Sequence, residues 1–271
     1  MKKIGIIAGG GKLPILIANN ILNSGKSVIF FCIEPFAFKR NYKKFQSNFI
    51  KLENISKIIN LLKKENIKEI IMAGHIKRPS IKDFNFDYKT IKFFKEYVLQ
   101  PKGDDKLLST IVKFFKKEGF NFIAWKNNCK NLFVNESHIT IKKPNKASIE
   151  NLHKGLEVFK KIGKIDVSQS LIIQNNFVLG IEAAEGTDEL IKRCYKYKKK
   201  GEKGVLIKSS KYKQDLRFDV PVIGLNTLKL LKKYNYDGIF IEKNNLIILD
   251  KQESIDFCNN NSLFISSFIK P

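Results

Sequence analysis

Arginine is scarce in this chain, and the scarcity singles out the segment QDLRFDVP at residues 214–221. Lysine and arginine together number 50, yet the only arginines are Arg40, Arg78, Arg193 and Arg217. Arg217 stands between Asp215 and Asp219. A guanidinium offers a planar fork that grips a phosphate or carboxylate in a set direction, which a lysine ammonium does not. If 215–219 is extended, its alternating side chains place Asp215, Arg217 and Asp219 on one face, with Phe218 packed behind. The plain alternative is a structural ion pair near a strand end. A second acidic group, EAAEGTDELIKR, gathers Glu182, Glu185 and Asp188 around Gly186 and Thr187, where a strand gives way to a helix. Acids there suit the positive end of a helix dipole and need no further role. Taken with Asp219, Arg217 and Lys208, however, carboxylates from two segments could form a phosphoryl-transfer site. Hard oxygen ligands of this kind suit Mg2+.

A different chemistry is written near the start. In KIGIIAGGGKLP, Gly9, Gly10 and Gly11 follow a short apolar strand and open a helix. Glycines there let backbone N–H groups approach a phosphate at the positive end of the helix. The pattern is neither GxGxxG nor a loop ending in GK[ST], and three glycines could simply make a tight turn, but the strand–loop–helix context favours a phosphate site. Glu34 ends the second apolar run, at the position from which a carboxylate could accept ribose hydroxyls. MAGHIKRPS sets His75, Lys77 and Arg78 just past another strand, again at the ligand edge of an open sheet. His75 is read there as a substrate contact as readily as a structural side chain.

These residues need a scaffold, and the apolar pattern supplies one. KIGIIAG, KSVIFFCIEP, KEIIMAG and FNFIAW read as strands; LPILIANNILNSG, ISKIINLLKKENI and GDDKLLSTIVKFFKKEG read as helices. Their alternation predicts a mainly parallel α/β sheet. The pattern weakens over 131–144, the expected connection between a first domain at 1–130 and a second α/β domain at 145–271. That second half predicts a helix from Ala147, two strands around an Asn175–Asn176 turn, and a helix capped by Thr187 or Asp188. GVLIKSS and VPVIG then read as strands and NTLKLLKKYNYDG as a helix, and the tail reads strand, turn, strand, helix, strand.

Length and composition bound the class. With 271 residues and 43% hydrophobic content the chain can bury two cores. No apolar run reaches membrane-span length. Glycines interrupt the stretch after Lys2 and Lys3, which argues against a signal peptide. The four cysteines are far apart with no CxxC, as expected of reduced thiols in the cytoplasm. The formal charge of +24 should draw the protein to polyanions and anionic membrane surfaces. Lys, Asn, Ile and Phe are all abundant, though, as an AT-rich coding bias would produce, so the charge names no specific nucleic acid.

Five segments, GIIAGGGKLP, MAGHIKRPS, KGDDKLL, EAAEGTDELIKR and DLRFDVPVIGLNT, occur in this order across nearly the whole chain. Together they resemble the bacterial UDP-2,3-diacylglucosamine pyrophosphatases of lipid A biosynthesis, in the type unrelated to the metallophosphoesterases. The resemblance implies a Rossmann-like N-terminal domain and a C-terminal α/β domain with substrate held between them. It also implies Mg2+-dependent hydrolysis to UMP and 2,3-diacylglucosamine 1-phosphate. The family's catalytic aspartate aligns with Asp219, with Arg217 neutralising phosphoryl charge and Glu185 or Asp188 sharing the metal. Nucleotide and substrate contacts fall on Gly9, Gly10, Gly11, Lys12, Leu13, Glu34, Gly74, His75, Arg78, Gly103, Asp104, Asp105, Gly186, Thr187 and Lys208. The segment SSKYK at 209–213 departs from the expected second phosphate anchor and leaves the roles of Lys211 and Lys213 open. An oligomer is compatible with all of this. A nicotinamide-dependent oxidoreductase would account for the first domain but not for the acids and arginine of the second. A nucleic-acid binder would cluster its cations among aromatics on one element, whereas these lysines are spread along the chain.

Overall fold

The computed structural model describes residues 2–51, 54–76, 104–163, 167–211, 215–217 and 220–270, with only the backbone at 104–108. The chain divides into two compact units. One comprises Met1–Lys130 with Asp215–Asp219, the other Asn131–Gln214 with Val220–Pro271.

The N-terminal unit is a five-stranded parallel sheet. Its strands are β1 (Lys3–Ala8), β2 (Ser27–Glu34), β3 (Ser47–Lys51), β4 (Glu69–Ala73) and β5 (Asn121–Phe122), in the order β3-β2-β1-β4-β5. Helices α1 (Leu13–Asn23), α2 (Ile55–Lys64) and α3 (Asp104–Lys117) connect them. The near-continuous apolar runs of β1 and β2 are those of strands buried on both faces. In α2 the spacing of Ile55, Ile58, Ile59 and Leu62 turns one stripe into the core. The edge strand β3 has no counterpart in the sequence reading. Only Ile50 of SNFIK is buried, so the apolar signal is too thin to show without its neighbour β2. Strand order reverses between β1 and β4, and the loops after these two strands carry Gly9–Gly11 and Gly74–His75.

The C-terminal unit holds a second five-stranded sheet. It contains β6 (Ser170–Gln174), β7 (Phe177–Ile181), β8 (Val205–Lys208), β10 (Gly238–Glu242) and β12 (Phe264–Phe268), ordered β12-β10-β8-β6-β7. Strands β8, β10 and β12 run parallel, while β6 is antiparallel to both its neighbours. The β6–β7 hairpin closes through Asn175 and Asn176, both at positive φ, as the Asn-Asn pair predicts. A separate two-stranded parallel pair joins β9 (Val222–Ile223) to β11 (Ile247–Ile248). Alternate residues of each central strand feed opposite cores. Ile172, Leu206 and Ile239 face one side with α5 (Thr187–Tyr195), α6 (Leu225–Lys233) and α7 (Lys251–Asn260). Leu171, Ile207 and Phe240 face the other with α4 (Lys146–Ile162). Burying both faces with a period of two is what makes these strands read as unbroken apolar runs.

The stretch 131–144 is hydrogen-bonded into this unit. Val134 N–H donates to Leu246 O at 3.1 Å and Ile139 N–H to Ile265 O at 3.0 Å. Lys142 Nζ meets the buried Asp237 carboxylate, which also accepts from Ser148 Oγ. Among the described residues no helix is long and apolar enough to cross a membrane.

Candidate active site

The carboxyl edge of the N-terminal sheet is made mostly of backbone. Gly9 N–H donates to Ala73 O at 2.9 Å, Gly10 N–H to His75 O at 2.8 Å, and His75 N–H returns a bond to Gly10 O at 3.1 Å. The loops after β1 and β4 are thereby knitted together. A Cβ on Gly9 would lie 2.5 Å from His75 O, and one on Gly74 would lie 2.6 Å from Gly10 O. Neither glycine can be anything else without parting the loops. Two of the amides expected to cradle a phosphate are therefore committed to protein carbonyls. Gly11 and Lys12 lead into α1, which begins at Leu13. The His75 side chain is exposed over this loop, and Glu34 is half-buried at the end of β2. Asp104 and Asp105 open α3, with only their backbone described; Arg78 and Gly103 lie outside the described residues.

The carboxyl edge of the C-terminal sheet is made of charged side chains. Lys208, the last residue of β8, is only 4% exposed. Its Nζ donates to Thr187 Oγ1 at 2.6 Å and Ser170 Oγ at 3.2 Å, and lies 3.9 Å from Glu182 Oε2. That Glu182 oxygen is buried without a hydrogen-bond partner, while Oε1 accepts from Thr187 Oγ1 at 3.0 Å. Helix α5 begins with Gly186 as its cap (φ +82°), so Thr187 does not cap it as expected. A glycine takes the positive φ, and the threonine hydroxyl instead joins Lys208 to Glu182.

One strand over, Glu242 ends β10 and is 3% exposed. Its Oε2 accepts from Ser209 Oγ, Ser210 N–H and Ser210 Oγ, each at 2.7 Å, and its Oε1 accepts from Asn245 Nδ2. Burial pulls this carboxyl's pKa up, but the bonds from Asn245, Ser209 and Ser210 outweigh it and hold the group below the usual glutamate range. Lys270 Nζ donates to Ser210 O at 2.5 Å. Burial lowers its pKa, and the Glu242 charge opposes that. Sequence reasoning passed over Glu242, Ser209, Ser210 and Lys270. A signal was available: GIFIE ends an apolar strand on a carboxylate just as SVIFFCIE ends on Glu34.

Other expected site residues are placed apart. Glu185 forms a pair with Arg193, whose Nε and Nη2 lie 2.9 and 2.8 Å from Oε1. Asp188 accepts from Asn226 Nδ2 at 2.6 Å and Thr227 Oγ1 at 2.8 Å, tying α5 to α6. Residues 215–217 are not extended. Leu216 and Arg217 form a turn, in which Asp215 Oδ1 accepts from Arg217 N–H at 3.1 Å and from its Nε at 2.9 Å. A second guanidinium nitrogen, Nη2, reaches Oδ2 at 2.5 Å. A short carboxylate two residues upstream of an arginine favours this local fork over an extended chain. Hydrogen bonding to Arg217 holds the Asp215 carboxyl below its ordinary pKa. The arginine that stands out by its rarity thus pairs with Asp215. Phe218 and Asp219 lie outside the described residues.

Two other features are set apart from this chemistry. An open depression of about 530 Å3, lined by Lys2, Lys3, Glu65, Lys68 and Glu69 among others, lies at the opposite, amino ends of β1 and β4. All four cysteines are buried and free, and burial pushes the thiols of Cys32, Cys129 and Cys258 up to about 12, which leaves them inert.

Residues 3–132 match the family model described as the LpxI N-terminal domain, and residues 135–266 match the LpxI C-terminal domain. The chain belongs to the LpxI family. A relative from Caulobacter vibrioides, UDP-2,3-diacylglucosamine pyrophosphatase LpxI, is 26% identical over 272 residues, spanning 98% of this chain and 97% of that protein. Among solved structures, the biotin carboxylase domain of a thermophilic 2-oxoglutarate carboxylase aligns with 72% of this chain at 15% identity and a TM-score of 0.28, this chain spanning 33% of that one. The Campylobacter jejuni biotin carboxylase aligns equally weakly, at 15% identity and a TM-score of 0.28 over 41% of its length. Neither likeness carries an argument about fold or function.

The LpxI match frames a test of the expected metal. Among the described residues no three of His, Cys, Asp and Glu converge as ligands would. Glu185 and Asp188 are each held by protein partners, on Arg193 and on Asn226 with Thr227. The described carboxylates do not by themselves fit a Mg2+ site.

Proposed function

We propose that this chain hydrolyses the pyrophosphate of UDP-2,3-diacylglucosamine to UMP and 2,3-diacylglucosamine 1-phosphate, a step of lipid A biosynthesis in the cytoplasm. The observation that carries the reading is the match of both LpxI domain models, end to end, over 3–132 and 135–266. In the reaction, a water oxygen forms a bond to one phosphorus, the bridging P–O bond breaks, and the water gives up a proton. The site must therefore neutralise charge on phosphoryl oxygens and position water. Lys208 lies desolvated at the edge of β8, where a cation's field is little screened and an oxyanion gains most from it. Gly11–Leu13 at the start of α1 offer backbone and dipole to the nucleotide phosphate. Asp219 is assigned the water or the metal. The Mg2+ requirement rests on the family resemblance, and Mg2+ commonly uses one or two carboxylates together with substrate phosphates. Arg217 is engaged with Asp215 and would have to exchange that partner to reach a phosphate.

The test is turnover with UDP-2,3-diacylglucosamine and Mg2+ in oxygen-18 water, following UMP with and without chelator. UMP formation supports the reading, the chelator arm decides the metal, and the label identifies the attacked phosphorus. Folded protein yielding no UMP would overturn it. Asp219→Ala should lower turnover by about 10^2–10^4-fold while UMP binding by calorimetry stays within a few fold. Near-normal turnover in that variant would remove Asp219 from the chemistry. The diacylated substrate and the +24 charge also suit peripheral contact with an anionic membrane.

A further inference from the structure

The positive charge is not evenly answered across the surface. Many lysines stand beside an acid: Lys2 with Glu69, Lys3 with Glu65, Lys63 with Glu118 and Lys251 with Glu136. Residues 35–46, the loop from β2 into β3, differ. They contain Lys39, Arg40, Lys43 and Lys44 and no aspartate or glutamate at all. Lys39, Arg40, Lys43 and Lys44 are exposed, and Phe38 beside them is 57% exposed, with the Arg40 guanidinium 5.5 Å from its ring centre.

This loop is held in place. Tyr42 is 1% exposed and packs edge-on against Phe30 (4.8 Å between ring centres) and Phe49 (6.1 Å). Backbone bonds run Asn41 to Phe38, Tyr42 to Lys39 and Phe45 to Tyr42. The loop also abuts the glycine edge, where Phe36 O lies 3.1 Å from the position a Gly10 Cβ would take. A fixed aromatic tip ringed by cations that pair with no acid among the described residues is the arrangement that seats at a lipid interface. The ring enters the headgroup layer while the cations meet phosphates.

We propose that the 36–44 loop is the face by which this protein docks on an anionic bilayer, with Phe38 inserted and Lys39, Arg40, Lys43 and Lys44 on lipid phosphates. The proposal gives a location to the peripheral membrane contact suggested above and rests on that contact. Docking here would bring the glycine edge of the N-terminal sheet close to the membrane that holds a diacylated ligand.

The experiment is sedimentation with vesicles of phosphatidylcholine containing 30% phosphatidylglycerol, against pure phosphatidylcholine, at about 0.1 M salt. One variant reverses Lys39, Arg40, Lys43 and Lys44 to Glu. A control reverses the exposed Lys160, Lys161, Lys199 and Lys200 to Glu, giving the same net charge. The loop variant should lose at least about tenfold in partitioning and the control less than about threefold. Phe38→Ser should weaken binding several-fold with the charges intact. Phe38→Trp should blue-shift its emission on anionic vesicles, since the native Trp125 is buried at 1% exposure and unresponsive. Equal losses in both reversal variants, or no response from either Phe38 variant, would overturn the location. Failure of the native protein to bind anionic vesicles would instead remove the membrane contact itself. RNA competing for the native loop but not for the loop variant, with Phe38→Ser unaffected, would reassign the face to nucleic acid.

Discussion

At the carboxyl edge of the N-terminal sheet the chain brings backbone against backbone, Gly9 and Gly10 against Ala73 and His75, with no room for a Cβ. At the carboxyl edge of the C-terminal sheet it buries Lys208, Glu182 and Glu242 behind hydroxyls from Ser170, Thr187, Ser209 and Ser210. The difference teaches that a sheet edge can be built from backbone or from side chains, with different physical consequences. A backbone edge offers close approach and dipoles of fixed geometry, suited to holding a ligand's phosphate in one place. A buried charged edge offers strong, poorly screened fields, suited to a charge that develops during reaction, and is stable only while every charge keeps its partners.

The sharpest way to break this comparison is at Lys208. Lys208→Ala should destabilise the protein by about 3–5 kcal/mol in urea unfolding, because it leaves the buried Glu182 carboxylate without its cation. It should also abolish UMP formation in whatever folds. Lys208→Met with Glu182→Gln, which removes both charges, should regain much of the stability but not the activity. If the double variant is as active as the native protein, the edge is structural.

Gly9→Ala probes the opposite edge. Its methyl meets the His75 carbonyl, a backbone atom that cannot swing away, so a loss of about 1–3 kcal/mol is expected from thermal unfolding. Affinity for UMP should fall with it. A neutral substitution would mean that the two loops are not locked.

The smallest effect and the most specific pH signature belong to Glu242→Gln. One oxygen acceptor survives, so the loss should be about 1–2 kcal/mol at pH 7. The native carboxyl is held below its unfolded value of 4.5. Its contribution is therefore fully present above pH 4.5 and is lost as pH falls through the lower folded value. The stability gap between native and variant should shrink as pH drops below about 4.5. A gap constant down to pH 3 would show that the charge is not what Ser209 and Ser210 hold.

The scaffold was largely legible in the chain because its signals are local. Apolar runs in KIGIIAG, SVIFFCIE and GIFIE, helical spacing in ISKIINLLKK and the Asn175–Asn176 turn each depend on residues within one element. The five motifs were legible too, and they carried the family. What stayed hidden depends on partners far away in sequence. β3 is a strand only because β2 pairs with it. Glu242 is a clamp only because β10 lies beside β8 and brings Ser209 within 2.7 Å across 33 positions.

By itself, then, the sequence determined most of the strands and helices, the hairpin and membership of a family, since apolar periodicity and turn residues act over a few positions. Tertiary structure alone decided that Gly9 and Gly10 are bonded to the loop after β4. It also decided which carboxylates are already answered and which lysine is drawn out of water. Those outcomes follow from burial and from distances between segments, and neither quantity exists until the sheets have formed.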